Sequence, residues 1–192
     1  MRESIRRRTL FARSMLENPR TVGSVWPTSK WAVRDLLGMT DLPAARRVVE
    51  FGVGTGVYTG EIVERLGPDA EFLAFEVDPR LAKAVSGKLR DPRLRVLHES
   101  AENAERYLEG EKVDALVSSL PFTTFPAGLR EEILDVSRSI LAPGAPMLVL
   151  QYSKAVLPHL EKRFSRIRRR VSPLNVPPAF LYACENPVEP KS

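Results

Sequence analysis

The stretch Arg47-Val48-Val49-Glu50-Phe51-Gly52-Val53-Gly54-Thr55-Gly56-Val57 decides how this chain folds. A short apolar run ends in an acid and passes into glycines at alternate positions, after which apolar residues recur at helical spacing. The run reads as a buried strand over 47–51, and the segment after the glycines as a helix over 57–66 that Gly67-Pro68 stops. A glycine-rich loop between a strand and a helix is the context in which such glycines point to a ligand. Glycine takes backbone angles closed to other residues, and it lets a ligand approach the chain with no side chain between. A dinucleotide loop would place a further glycine at Val57 or Thr59, so the alternating spacing departs from that pattern.

Outward from this point, strands and helices alternate. A helix over 2–17 ends at Asn18-Pro19, and a second starts with Thr28 or Ser29 as N-cap and runs to Leu37 ahead of Gly38. Downstream come a strand over 71–76, a helix over 79–89, a strand over 94–97 and a helix over 101–108. A strand over 113–118, a helix over 129–141 closed by Pro143-Gly144, and a strand over 146–151 follow. Segments 167–171 and 179–184, around a proline-rich connection, add two edge strands. Strands separated by helices imply right-handed crossovers and hence an α/β domain with a mostly parallel, seven-stranded sheet flanked by helices. The N-terminal helices, 1–38, extend a domain that spans 39–192.

Composition narrows the classes. The 192 residues suffice for one domain with a core of its own. One cysteine, Cys184, excludes an internal disulfide and a cysteine zinc cluster and fits a reducing cytoplasmic setting. With two histidines, His98 and His159, no metal site is expected. No apolar run is long enough to span a bilayer, and the basic N-terminus lacks the apolar core of a secretory signal. The net charge of +5 is concentrated: the first twenty residues hold six arginines against two glutamates, and 162–170 holds six basic residues and no acid. Such clusters suit nucleic acid or an acidic membrane face, or are a solvated basic surface.

Three further places carry chemistry. Glu76, followed by Val77, ends the second strand about 20 residues beyond the glycines, where an acid can accept from both hydroxyls of a ribose. Asp78 is the alternative, although Asp78-Pro79 also makes a helix N-cap. After the third strand comes His98-Glu99-Ser100-Ala101-Glu102, in which His98 reads as a packed or capping residue. After the fourth comes Val117-Ser118-Ser119-Leu120-Pro121-Phe122.

Over nearly its whole length the chain resembles the bacterial phospholipid N-methyltransferases, relatives of the ribosomal RNA adenine dimethyltransferases. The likeness rests on 11–19, on Val22-Gly23-Ser24-Val25-Trp26-Pro27-Thr28-Ser29 and on Val49-Glu50-Phe51-Gly52-Val53-Gly54-Thr55-Gly56. It continues through Ser118-Ser119-Leu120-Pro121-Phe122 and Pro177-Pro178-Ala179-Phe180. The glycine loop is common to all class I methyltransferases; the Val22–Ser29 block together with Ser-Ser-Leu-Pro is far more specific.

The resemblance implies a Rossmann-like class I fold and S-adenosylmethionine as cofactor. Glu50, Gly52, Gly54 and Gly56 would then surround its methionine part, Glu76 and Val77 its ribose, and Ser100 and Ala101 its adenine, with Ser118 beside it. Acceptor chemistry would fall to Ser119, Leu120 and Tyr152, with Trp26, Pro121 and Phe122 lining the pocket. The implied acceptor is phosphatidylethanolamine and its methylated intermediates, leading toward phosphatidylcholine. An N-terminal helix carrying Arg2, Ile5, Arg6, Arg8 and Leu16 would dock on the inner face of the cell membrane and close the cofactor site. Enzymes that methylate adenine carry Asn or Asp where this chain has Ser119, whose shorter side chain cannot make the flat amide contact. Ribosomal RNA adenine, or the amine of a small molecule, is the alternative acceptor.

Overall fold

The computed structural model describes residues 28–173, 175 and 177–187. The helix expected over 2–17, and with it Arg2, Ile5, Arg6, Arg8, Leu16 and also Trp26, lies outside the described residues.

Seven strands form one sheet: β1 Arg47–Phe51, β2 Glu71–Glu76, β3 Leu94–His98, β4 Ala115–Ser118, β5 Met147–Gln151, β6 Phe164–Ser172 and β7 Ala179–Pro187. Their order is β3-β2-β1-β4-β5-β7-β6. The first five pair in parallel, while β7 runs antiparallel to both β5 and β6. The sheet is therefore mostly parallel, as expected, with one correction at its tail. Of the two tail strands β6 is an edge, opposite β3, whereas β7 is internal. The residues explain why: Ala179, Leu181 and Ala183 are buried in one face of the sheet and Tyr182 and Cys184 in the other, as an internal strand requires. β6 instead carries Arg166, Arg168, Arg169 and Arg170, and a charged edge resists pairing with other chains.

Side chains alternate across each strand and so split the core in two. Val48, Phe72, Ala74, Val117 and Leu148 pack with α1 (Lys30–Leu37), α2 (Val57–Val63) and α3 (Pro79–Lys88). Val49, Phe51, Leu73, Phe75 and Val149 pack with α4 (Glu105–Leu108), α5 (Ala127–Ile140) and α6 (Leu157–Glu161). Ser29 caps α1, its hydroxyl accepting from the Ala32 amide at 3.2 Å, and Ala32, Val33, Leu36 and Leu37 join the core. Arg34 and Arg65 both pair with the buried Glu61, tying α1 to α2.

Several bounds differ from expectation: the helix expected over 57–66 ends at Val63, the helix expected over 129–141 is Ala127–Ile140, and the tail strands expected over 167–171 and 179–184 extend to Phe164–Ser172 and Ala179–Pro187. The helix expected over 101–108 is a 3₁₀ turn at Ala101–Asn103 and then α4, which Glu109 and Gly110 end at positive φ, 51° and 86°. The strand expected from 113 begins at Ala115, with Val113 making an isolated bridge to Leu141.

On the α4–α6 side, the nearly buried Arg163 joins α6 to α5. Its Nε donates to Asp135 at 2.8 Å and its Nη2 to Glu131 at 3.0 Å. Arg163→Ala strands both carboxylates, but Asp135 is half exposed and rehydrates readily. The expected loss is about 2 kcal/mol of unfolding free energy, read as a lower denaturant midpoint with unchanged slope.

Candidate functional site at the switch between the first and fourth strands

Strand order reverses between β1 and β4, and the crevice outside the carboxyl ends at such a reversal is where open parallel sheets bind ligands. The loops after β1 and β4 meet there. The Gly52 amide donates to the Phe75 carbonyl at 2.9 Å, and the Ser119 amide to Phe51 at 3.1 Å. The Ser119 hydroxyl then donates to the Gly52 carbonyl at 2.7 Å, fastening one loop to the other.

Gly52 has φ +85°, and a Cβ there would stand 2.9 Å from Leu120 Cδ2 and 3.1 Å from Ser119 Oγ. Gly52→Ala adds backbone strain and pushes on the Ser119 bond, so a loss of roughly 2 kcal/mol in thermal or chemical unfolding is expected. Gly54 differs: its φ is +54°, but a Cβ would meet nothing within 4 Å, so its side faces open space. The Gly54 amide donates to Glu76 Oε2 at 2.8 Å, and the Asp78 amide to Glu76 Oε1 at 2.9 Å. Each carboxylate oxygen of Glu76 thus keeps a lone pair for a further donor. Asp78 is otherwise engaged. It caps α3 through the Arg80 amide at 2.7 Å, and the Arg80 side chain holds its carboxyl down at about 2. The geometry favours Glu76 over Asp78 as the ligand-facing acid.

Glu50, at the end of β1, is fully buried. Neither of its oxygens has a hydrogen-bond partner among the described residues, and the same holds for the buried hydroxyls of Tyr58 and Thr59 at the start of α2. Burial pushes the Glu50 carboxyl up to about 8; the Thr59 hydroxyl opposes this from beyond normal hydrogen-bond geometry, and the Glu76 carboxylate adds to it. Burial also raises the Tyr58 phenol. Unsatisfied buried polar groups cost stability and are rare in native proteins. Three of them at one end of β1 and α2 mark a place built for a polar ligand. Tyr58 and Thr59 are not among the sequence-based candidates: Thr59 enters the sequence reading only as a slot without a dinucleotide loop's glycine, and Tyr58 not at all. Their signal was polar side chains in the first turn after the loop.

The acceptor side is also defined. Ser118 is buried, and its hydroxyl accepts from the Leu120 amide at 3.4 Å. The Leu120 carbonyl accepts from the buried Gln151 side-chain amide at 2.7 Å, a partner that sequence reasoning did not find. Pro121 is half-buried, and Tyr152 shares a hydrogen bond of 3.1 Å with the Thr28 hydroxyl. Phe122 stands apart from the expected lining. It is fully buried, edge-to-face with Phe125 at 6.2 Å and packed in the core with Ile133 and Leu134, because the chain turns inward after Pro121. Beyond β3, the Ser100 hydroxyl donates to the Glu102 carboxylate and Ala101 is buried in the core. Val77 offers its carbonyl to His98, whose Nε2 lies 3.1 Å away. Among the described residues no His, Cys, Asp and Glu cluster is placed to hold a metal ion.

Residues 48–144 match the family described as a methyltransferase domain. The chain belongs to that methyltransferase family. S-Adenosylmethionine is its methyl donor. An ornithine lipid N-methyltransferase from Singulisphaera acidiphila is 28% identical to this methyltransferase over 180 residues, 91% of this chain and 94% of that protein. The ribosomal RNA small subunit methyltransferase A of Dehalococcoides mccartyi is 30% identical over 113 residues, 57% of this chain and 38% of that protein. Among solved structures, an S-adenosylmethionine-dependent O-methyltransferase from Thermotoga maritima superposes with a TM-score of 0.67 at 16% identity. It covers 92% of this chain and 73% of its own. The N-methyltransferase NodS from Bradyrhizobium japonicum, in complex with S-adenosylhomocysteine, gives 0.67 at 14% identity, covering 82% and 86%. These likenesses establish the class I fold.

The crevice fits the methyl donor. That molecule presents an ammonium, a carboxylate and a ribose diol, and the crevice presents an orphaned carboxylate at Glu50 and a half-used one at Glu76. Gly54, whose amide is held by Glu76, turns its open side to free space, with no atom within 4 Å of where a Cβ would stand.

Proposed function

We propose that this methyltransferase acts on the amine of a membrane-lipid headgroup, with phosphatidylethanolamine and its methylated intermediates as acceptors and ornithine lipid as the competing acceptor of like chemistry. The observation that carries the reading is coverage. The similarity to a lipid N-methyltransferase runs end to end in both proteins, whereas that to a ribosomal RNA enzyme takes in 38% of that enzyme. The post-β4 loop agrees: the Ser119 hydroxyl is bound to the Gly52 carbonyl, which leaves no side chain there to grip the edge of a base.

Bound S-adenosylmethionine supplies an activated methyl on a sulfonium. Transfer forms a C–N bond, breaks the S–C bond and leaves S-adenosylhomocysteine, so the protein's work is to hold, align and desolvate. Glu50 receives the ammonium of the methyl donor, and Glu76 its ribose diol. The amine must arrive neutral, and a crevice closed to water favours the neutral form. The Ser119 carbonyl is left to accept a hydrogen bond from the amine, because the Leu120 carbonyl already accepts from Gln151 at 2.7 Å and from the Phe122 amide at 2.9 Å, and the proton lost on methylation passes to water. Tyr152 offers an aromatic face that tolerates the cationic product.

Expression in a host that makes phosphatidylethanolamine but no methylated lipid tests this directly. Mass spectrometry of the lipid extract is expected to show mono- and dimethylated phosphatidylethanolamine. An unchanged lipid profile from cells that contain folded protein, in the presence of both acceptors, would reject the lipid reading.

A further inference from the structure

Two large apolar side chains are exposed among the described residues: Trp31 at 63% and Val171 at 55%. Both sit at the end of the sheet where the parallel strands finish. Val171 pairs with Phe180, which pairs in turn with Gln151, the last residue of β5. Trp31 lies in the first turn of α1, whose cap residue Ser29 donates its amide to Asn175 in the β6–β7 connection at 2.8 Å. That is the same end as the Ser119 loop.

Charge at this end is one-sided. The segments that build it on the acceptor side, 28–34, 119–130, 151–160 and 170–184, contain no Asp or Glu. Lys154 and Arg170 have no ion-pair partner among the described residues; the Lys154 ammonium lies 5.3 Å from the centroid of the Phe180 ring. The basic run of β6 is otherwise neutralised, Arg166 and Arg168 by Glu185 and Arg169 by Glu161. Arg170, nearest the crevice end, is the one left over.

From these positions we infer that Trp31 and Arg170 on one face of the sheet end and Val171 and Lys154 on the other together form a lipid-docking surface, separate from residues 1–17, that seats the crevice end of the sheet on an anionic bilayer. The inference rests on the lipid-acceptor reading and adds to it the surface by which the crevice meets the membrane. Tryptophan favours the headgroup level of a bilayer, and a basic side chain near an anionic leaflet gains free energy from its surface potential. Nucleic acid would reward the two cations equally, but it offers nothing to an exposed Val171.

The test uses the full chain and two double variants, Lys154→Gln/Arg170→Gln and Trp31→Ala/Val171→Ser. Partition onto vesicles of phosphatidylglycerol and phosphatidylcholine is measured beside methylation of short-chain phosphatidylethanolamine in free solution. The charge variant is expected to lower partition about thirtyfold, the apolar variant to lower it as well, and both to methylate the dissolved acceptor at the unaltered rate. Lost partition in a protein that methylates no lipid would support the surface and overturn the acceptor reading. Unaltered partition of both variants would overturn the surface.

Discussion

Glu50→Gln is expected to stabilise the cofactor-free protein at alkaline pH and to weaken cofactor binding by about a hundredfold. The two effects have one origin. The folded carboxyl titrates at about 8, against an ordinary value of 4.5, so between those values the native state holds a proton that the unfolded chain releases. Stability contributed by this group therefore falls as pH rises from 4.5 to 8, and above 8 the whole cost of a buried, unpartnered carboxylate is present. At about 1.4 kcal/mol per unit, that cost is on the order of a few kcal/mol. Glutamine keeps the shape and carries no charge to bury, so thermal melts of variant and parent should agree near pH 5 and separate by pH 8.5. The ammonium of S-adenosylmethionine provides the missing counter-charge, which glutamine cannot use. Near pH 7 binding should then release close to one proton in the parent and none in the variant, read by calorimetry in buffers of different ionisation enthalpy. Parallel melting curves across this range would contradict the burial argument, and equal affinities would remove Glu50 from the site.

Glu76→Ala is expected to cost more than a hundredfold in cofactor affinity and about 2 kcal/mol in stability. The variant orphans the amides of Gly54 and Asp78, both held by this carboxylate at 2.8 and 2.9 Å, and removes the acceptor offered to the ribose diol. Charge-assisted hydrogen bonds of this kind contribute roughly 1.5–3 kcal/mol each. Asp78→Asn is the informative contrast. Asparagine caps helices as well as aspartate, so that variant should lose part of the Arg80 interaction yet bind the methyl donor almost normally. Titration of S-adenosylhomocysteine into both proteins separates the roles: comparable losses at the two positions would mean that Asp78, too, faces the ligand.

How much of this was legible in the sequence follows from which interactions are local. The β1 strand and its glycine loop announced themselves because an apolar run, an acid and alternating glycines lie within eleven residues. The Ser29 cap was legible for the same reason. What was hidden depends on contacts across the chain. That β7 is internal could not be read from its length or its flanking prolines; it follows from a strand apolar on both faces inserting beside β5. The hold of Gln151 on the Leu120 carbonyl joins residues 31 apart, and the inward turn of Phe122 shows only when its neighbours in α5 are placed. The arginines of β6 read as one basic cluster until Glu185 and Glu161 are seen to neutralise three of the four. Orphaned atoms such as those of Glu50, Tyr58 and Thr59 are invisible without a third dimension, since a sequence lists donors and acceptors but not their vacancies.

The most direct test of the lipid-amine reading is transfer of a labelled methyl from S-adenosylmethionine by the purified full chain. Vesicles containing phosphatidylethanolamine, vesicles containing ornithine lipid, and ribosomal RNA serve as parallel acceptors. Label recovered in the lipid phase as an N-methylated headgroup is the expected result. Label recovered only in RNA would contradict it and return the basic surfaces to the binding of phosphates in a nucleic acid.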